Sequence, residues 1–316
     1  MLCSSVCKAI DRFVLFGVLS WTTGLVMTGV EARASSPYIS RVWEYNPAPG
    51  QFVNFMPEYE DGDDANDMRM KAEEAIADNN RGMISLGGWG GYVVFGFDHM
   101  VLNVSQTNDF IVLGNAFEGS AEPGIVMVSY DVNGNGRPDD AWYELAGSEY
   151  SNPQTIHDYS LTYRRAQEGS NYPQWIEEDS ITFAGSRLPD NYEDLSGEGT
   201  YYVLSAYPWG YVDNLPNTDE GAQLDIDWAV KADGTPANLP GIHFVKVYTA
   251  LHQQCGWLGE TSTEIMGAEE LHPNATQDCN QVPSDQVPCT KILRNGQLYL
   301  MYKGAKYNVQ GVRIEI

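Results

Sequence analysis

The chain has 316 residues, of which 43% are hydrophobic and 12% aromatic, so it is long enough for one β-domain whose core needs no extra crosslinks. Its 43 acidic residues outnumber 18 basic ones and give a formal net charge of −25. Because such a chain repels polyanions and anionic lipid surfaces, we exclude nucleic acid and anionic membrane surfaces as partners.

The first 34 residues have the layout of a secretory signal peptide. Lys8 and Arg12 precede an apolar run over residues 13–21, and the tripeptide at 32–34 offers a small-x-small cleavage site. A membrane anchor is the alternative, but polar residues interrupt the run and nothing downstream resembles a second span. We therefore expect a secreted or cell-surface protein with no transmembrane span in the mature chain.

A single helix is predicted near the start of the mature chain. Residues 35–64 mix proline, glycine, aromatic and acidic residues and are predicted to be an extended lead-in with little regular structure. From Ala65 to Asn79, the apolar residues Met68, Ala72, Ala75 and Ile76 fall on one helical face. Asn66 or Asp67 is suited to cap this helix.

Short β-branched and aromatic runs, separated by turn residues, follow the helix. This spacing predicts a mainly β fold, an antiparallel β-sandwich of the jelly-roll type, over residues 35–273. A polar linker (274–289) and a small β tail (290–316) follow, and the tail is predicted to hold three short strands. The strand candidates in the body are 92–95, 110–113, 124–130, 141–145, 160–163, 180–183, 200–204, 224–228 and 243–248.

An oxygen-rich loop lies between two of these predicted strands. Alternating oxygen side chains, a turn glycine at Gly136 and two consecutive carboxylates are typical of a Ca²⁺-binding loop. It is not an EF-hand, because Trp142 stands where the bidentate glutamate would be. The predicted ligands are the side chains of Asp131, Asn133, Asn135, Asp139 and Asp140 and the carbonyl of Arg137.

Two alternatives to this simple calcium loop stay open. The loop could be a polar connection that holds no metal, since asparagine and glycine are ordinary turn residues. Conversely, Asp98, His99, Asn115 and Glu122 could join the metal if neighbouring strands bring them near. Calcium would also offset part of the self-repulsion of so acidic a chain.

The mature chain keeps three cysteines, Cys255, Cys279 and Cys289. In an exported protein the simplest interpretation is one disulfide and one remaining thiol. A Cys255–Cys279 bond would tie a long loop to the body, whereas Cys279–Cys289 would only close the linker. The sequence does not choose between these pairs, and our working prediction is Cys255–Cys279.

Aromatic residues in loops are the candidates for contact with a flat ligand such as a sugar ring. Pro208 and Gly210 mark residues 207–213 as a loop, which makes Trp209 and Tyr211 the first candidates. Trp175, close to a proline, is a third. The alternative is that these aromatic side chains belong to the core.

The tail resembles the C-terminal sorting domain of the type IX secretion system of Bacteroidetes. The likeness rests on Asn295-Gly-Gln-Leu-Tyr299 and on Gly304-Ala-Lys-Tyr-Asn-Val-Gln-Gly311. It implies export by the type IX secretion machinery, followed by release or attachment at the cell surface. A plain terminal hairpin packed on the body is the alternative.

The body resembles a family of Bacteroidetes cell-surface proteins, mostly uncharacterised. The stretches that carry this likeness include the oxygen-rich loop, where this chain keeps every letter of a D-x-N-x-N-G-x-x-D-D segment. The resemblance implies a galactose-binding-like or concanavalin-like sandwich outside the cell, without assigning a reaction or a ligand. The other stretches are 84–99, 108–117, 122–129, 243–249 and 255–264.

These observations predict a calcium-stabilised, non-catalytic binding or adhesion module for a glycan or another extracellular ligand. A carbohydrate-active hydrolase on the same sandwich is the first alternative, because acidic residues are abundant, although no short motif singles out a catalytic pair. A purely structural component of the cell surface is the second alternative.

Overall fold

The computed structural model describes residues 36–166, 171–256 and 259–273 and, within the tail, residues 290–294, 297–302, 305–307 and 313–314. The predicted signal peptide and linker lie outside the described residues, and so does Cys279. In chain order the elements are β1 (Arg41–Asn46), α1 (Ala65–Ile76), β2 (Ile84–Ser85), β3 (Tyr92–Leu102), β4 (Phe110–Leu113), β5 (Gly124–Ser129), β6 (Trp142–Leu145), β7 (Ile156–Arg164), β8 (Ser180–Arg187), β9 (Tyr192–Asp194), β10 (Tyr202–Leu204), β11 (Gln223–Leu224), β12 (Ala229–Val230), β13 (Gly241–Thr249), β14 (Glu264–Ile265), β15 (Gly267–Glu270), β16 (Thr290–Arg294), β17 (Gln297–Tyr302), β18 (Ala305–Tyr307) and β19 (Arg313–Ile314).

A six-stranded antiparallel sheet forms one layer of the fold, in the order β1-β3-β13-β5-β6-β12. The second layer contains a three-stranded sheet, β11-β4-β15, together with the β2–β14 pair and α1. Side chains of both layers share one core, in which Phe95 and Val247 of the large sheet meet Phe110 of the small sheet and Met68 of the helix. The predicted mainly antiparallel β-sandwich is therefore confirmed.

Side chains point alternately to the two faces of the large sheet, so the face opposite the shared core carries a different set of residues. In β13, Val245 and Val247 point into the shared core, so Lys246 and Tyr248 point to the opposite face. Part of this outer face is covered by the β7–β8 hairpin, which packs Phe183 with Trp89 and Tyr92. The floor of the candidate site described below belongs to this outer face.

The helix runs from Ala65 to Ile76 and buries Met68, Ala72 and Ile76, the face predicted from the sequence. Its cap is Asp64 rather than Asn66 or Asp67. The Asp64 carboxylate accepts hydrogen bonds from the amides of both residues, at 2.7 and 3.0 Å, and the Asp67 side chain accepts from the Asp64 amide. The helix ends earlier than predicted because Ala77 is already extended.

We expect Asp64→Ala to lower the free energy of unfolding by about 1 kcal/mol, because the first-turn amides lose their acceptor. Urea denaturation measures this change. Asp61→Ala, which removes an exposed carboxylate from the same acidic stretch, is the matched control. Equal losses in the two variants would show that the cap contributes nothing beyond its charge.

Two other expectations about the body need correction. Residues 41–46, predicted to be irregular, form the edge strand β1, in which Val42 and Tyr45 are buried against the core and a bulge separates Val42 from Glu44. The predicted strand at 224–228 is a two-residue strand followed by a 3-10 helix, Ile226–Trp228, capped by the Asp225 side chain. In both places tertiary contacts decided the local structure.

The described part of the tail forms an antiparallel four-stranded meander, β16-β17-β18-β19, where three strands were predicted. Within the described ranges, no helix has the length and hydropathy required to cross a bilayer.

Candidate functional site

The oxygen-rich loop joins β5 and β6, neighbouring strands of the large sheet in which Ser129 pairs with Trp142. The backbone curls around the Asp131 carboxylate. One of its oxygens accepts hydrogen bonds from the amides of Gly134 and Asn135, at 2.7 and 3.1 Å, and the other accepts from the amide of Gly136 at 2.8 Å. Gly134 and Gly136 both adopt positive φ, which permits this curl.

The other end of the loop is held by asparagine side chains. The Asn133 amide nitrogen donates to Asp139 at 3.1 Å and to Asp140 at 3.2 Å, and the Asn135 amide nitrogen donates to both oxygens of Asp139. These hydrogen bonds lower the pKa of Asp139. The Arg137 carbonyl, the predicted backbone ligand, accepts from the Asp139 amide at 2.9 Å.

The loop thus fits an oxygen-donor site in part. All of its predicted side-chain ligands belong to one hydrogen-bonded network, but its three carboxylates do not come within 4.8 Å of one another. The asparagine amides present nitrogen to the carboxylates, so a cation would require these amides to turn and the loop to close further. Calcium in this loop stays a prediction.

A cleft of about 800 Å³ lies on the outer face of the large sheet. Lys246, Met127 and Glu144 form its floor, in register across β13, β5 and β6. The β7–β8 hairpin and residues 230–234 form its sides. The aromatic residues that line it are Tyr92, Trp142, Tyr150, Phe183 and Tyr248.

Ser186 connects the hairpin to the floor of the cleft. Its hydroxyl donates a hydrogen bond to Glu144 at 2.8 Å, and its backbone amide donates one to the Tyr248 hydroxyl at 3.0 Å. Gly185 lies so close to the Tyr248 ring that an added Cβ would come within 3.2 Å of it. These contacts fix the hairpin over the sheet, so the cleft is built on rigid elements.

Two ionisable groups on the floor are shifted by desolvation. Burial raises the pKa of Glu144, although the hydrogen bond from Ser186 opposes the shift. Burial lowers the pKa of Lys246, whose ammonium lies 3.9 Å from the centre of the Tyr92 ring. Among the described residues, no carboxylate comes within ion-pair distance of Lys246. The floor therefore offers a cation and an acid to a bound molecule.

None of the three aromatic residues predicted to contact a ligand lines this cleft. Trp209 is 37% exposed and packs against Trp228. Tyr211 is buried, and its hydroxyl accepts a hydrogen bond from the Glu149 amide. Trp175 is buried and stacks against Tyr45 and Tyr59. The positions of Tyr211 and Trp175 give no support to ligand contact, and Trp209 alone keeps an open face.

The cleft was not predicted from the sequence, although the sequence contains one signal of it. Lys246 and Tyr248 alternate with core valines along β13, and Tyr92 starts the neighbouring strand β3. Large amphipathic side chains at every second position indicate a strand whose outer face is neither core nor plain solvent surface.

Three carboxylates, two of them buried and one half-buried, form a separate cluster. Glu122, Asp213 and Glu264 bring side-chain oxygens within 4.8 Å of one another. Burial raises the pKa values of Glu122 and Asp213 to about 7 and raises that of Glu264 well above its usual range. The sequence suggested Glu122 and Asn115 as additional ligands of the oxygen-rich loop. The structure places both with this cluster, where the Asn115 amide donates to Asp213 at 2.7 Å.

Asp98 and His99, the other two additional candidates, form a third group. The His99 ring nitrogens lie 2.7 Å from Asp98 and 2.7 Å from Glu270. Burial opposes a charge on His99, but the hydrogen bonds and charges of the two carboxylates outweigh it and raise the pKa of the imidazole. By contrast, burial and the nearby Arg187 lower the pKa of His252.

We expect His99 to titrate above the ordinary value of 6.5 and His252 below it. Because the folded pKa of His99 is raised, its charge stabilises the fold fully below pH 6.5, and this contribution is lost as pH rises through the raised pKa. A pH titration of imidazole signals by NMR measures both values, with His99→Gln and His252→Gln assigning the signals. A lower pKa for His99 than for His252 would contradict the ion pairs.

Cys255 is fully buried, and burial together with Glu122 and Asp190 raises the pKa of its thiol to about 11. It is a free cysteine in the structure. Because Cys279 lies outside the described residues, the Cys255–Cys279 disulfide stays a prediction.

No known family model matches the chain, and no curated protein is significantly similar to it. The cleft, the loop and the carboxylate cluster are therefore the basis for proposing a function.

Proposed function

We propose that this protein is a secreted or cell-surface binding module that holds an extracellular glycan or a similar ligand in the cleft above β13, β5 and β6. The observation that carries this proposal is the cleft itself. Its volume of about 800 Å³ is in the range typical of ligand sites, and five aromatic side chains line it.

The chemistry of the cleft suits a sugar better than a wholly apolar ligand. Rings such as Trp142 and Tyr150 offer flat apolar faces, and Glu144, Lys246 and Thr182 offer hydrogen-bonding groups between them. A pyranose ring has the same combination of apolar faces and polar edges. A fixed floor and hairpin would also lower the entropy lost on binding.

Calcium would act on the same cleft through the oxygen-rich loop. Asp140 precedes Trp142 by two residues, and Trp142 belongs both to the loop's hairpin and to the cleft. A cation bound by the loop would therefore hold the end of β6 and the indole ring in place. Under this proposal calcium is structural and takes no part in chemistry.

The cell-surface location and the use of the type IX secretion machinery are part of the proposal and rest on the residue patterns of the leader and tail.

A hydrolase remains the second candidate because Glu144, whose pKa is raised, shares the cleft with Asp158 and Asp233. Glycoside hydrolysis uses one carboxylic acid of raised pKa and a second carboxylate.

A glycan array, followed by product analysis of each glycan that binds, tests the proposal. We expect saturable binding of a restricted set of glycans, stronger with Ca²⁺ than with EDTA, and no change in glycan length. Shortening of the glycan that Glu144→Gln abolishes would replace the binding function with hydrolysis. Absence of binding to any glycan or other extracellular polymer would leave a structural component of the cell surface.

A further inference from the structure

We propose that Glu122, Asp213 and Glu264 hold one hard divalent cation, of the Ca²⁺ class, at a site separate from the oxygen-rich loop. The three residues come from distant parts of the chain. Glu122 precedes β5, Asp213 ends the 207–213 loop, and Glu264 begins β14. A cation here would join these three segments.

The separation of the carboxylates suits a shared ion. Calcium binds oxygen at roughly 2.3–2.6 Å, so two of its ligands can be at most about 5 Å apart. The oxygens of Glu122, Asp213 and Glu264 all lie within 4.8 Å of one another. One ion can therefore reach all three residues with little movement of their side chains.

An unpartnered oxygen provides an independent indication of a ligand. Glu264 is 1% exposed, and its Oε1 accepts no hydrogen bond from any described residue. Buried polar atoms without a partner are rare in folded proteins because each one loses its hydration without compensation. A cation among the three carboxylates would supply the missing partner.

The charge of the cluster has no compensation from side chains. Within the described residues, no lysine, arginine or histidine forms an ion pair with any of the three carboxylates. Backbone amides are partners of Glu122 and Asp213, and the neutral side chains of Ser262 and Asn115 interact with Glu264. The Ser262 amide donates to Glu122 at 3.1 Å, and the Asn115 and Glu264 amides donate to Asp213 at 2.7 and 2.9 Å. These amides orient the carboxylates, and they oppose but do not cancel the rise in pKa that burial causes in Glu122 and Asp213.

The backbone is arranged to bring Asp213 to this position. Asp213 adopts a positive φ of 54°, which is uncommon for a residue other than glycine. Gly114 makes room for its carboxylate, because a Cβ there would lie 2.5 Å from an Asp213 oxygen.

Glu122 is only half-buried, which gives a small ion access to the cluster. Donors that are all oxygen and strongly anionic select a hard cation over zinc or copper.

Counting bound calcium in four forms of the mature chain tests this inference. Equilibrium dialysis at neutral pH and moderate salt, followed by elemental analysis, gives the number of Ca²⁺ ions per chain. The forms are the wild type, a loop variant (Asp131→Asn with Asp139→Asn), the loop variant with Glu264→Gln, and the loop variant with Glu270→Gln. Glu270 is a buried glutamate outside the cluster and provides the matched control.

We expect the loop variant to keep one tightly bound Ca²⁺, Glu264→Gln to weaken that site at least tenfold, and Glu270→Gln to leave it unchanged. A folded loop variant that binds no Ca²⁺ would overturn the inference, even if Glu264→Gln fails to fold. Comparing the number of ions bound by the wild type with the number bound by the loop variant distinguishes the two sites. Two ions support both sites, one ion in both wild type and loop variant supports the cluster alone, and one ion lost in the loop variant supports the loop alone.

Discussion

Replacing Trp142 with alanine is expected to weaken ligand binding by about tenfold or more while leaving the fold intact. Trp142 lies on β6, lines the cleft and is only partly buried, so its loss removes a contact surface without opening the core. Aromatic residues at the centre of a binding site commonly account for 2 kcal/mol or more of the binding free energy. Isothermal titration with the glycan selected on the array measures the effect.

Trp209→Ala is the matched control for this experiment. Trp209 is the exposed tryptophan that the sequence indicated as a ligand contact, and it does not line the cleft. We expect its replacement to leave ligand affinity within about twofold of the wild type. A large loss with Trp209→Ala and none with Trp142→Ala would move the binding site to the 207–213 loop.

Removing calcium is expected to lower the melting temperature of the wild-type chain by several degrees. A ligand present at about one hundred times its dissociation constant stabilises the folded state by about 2.7 kcal/mol. In a domain of this size, each kcal/mol corresponds to about 2–4 °C. Differential scanning calorimetry with excess EDTA or excess Ca²⁺ measures the shift.

Variants divide this shift between the two proposed sites. Asp131→Ala is expected to remove the share that belongs to the oxygen-rich loop, because three loop amides lose their acceptor together with the cation. Glu264→Gln is expected to remove the share of the buried cluster. Asp98→Ala, an exposed carboxylate outside both sites, controls for net charge. A wild-type melting curve that is the same with EDTA and with Ca²⁺ would contradict calcium at either site.

The parts of the fold that depend on local pattern could be predicted from the sequence. The buried face of the helix, Met68, Ala72 and Ile76, follows from helical spacing, and the strands on either side of the oxygen-rich loop follow from apolar runs bounded by turn residues. The curl of that loop around Asp131 follows from its glycines. In each case the residues that determine the structure are neighbours in the chain.

The parts that depend on distant segments could not be predicted in this way. Asp213 and Glu264 stand in no metal-binding sequence pattern, and only the folded chain brings them to Glu122. Tyr211 and Trp175 lie in segments whose composition predicts loops, but other parts of the fold cover both side chains. Their burial is therefore set by the tertiary structure and not by the local sequence. The cleft depends on a hairpin, β7–β8, that packs across a sheet to which it is not hydrogen-bonded as a strand.

A crystal structure of the chain with the selected glycan would test the central claim most directly. We predict an intact glycan in the cleft, with at least one sugar ring against Trp142 and polar contacts to the floor residues Lys246 and Glu144. A glycan bound elsewhere on the protein, or a cleaved glycan with its new end beside Glu144, would contradict a non-catalytic binding site in this cleft.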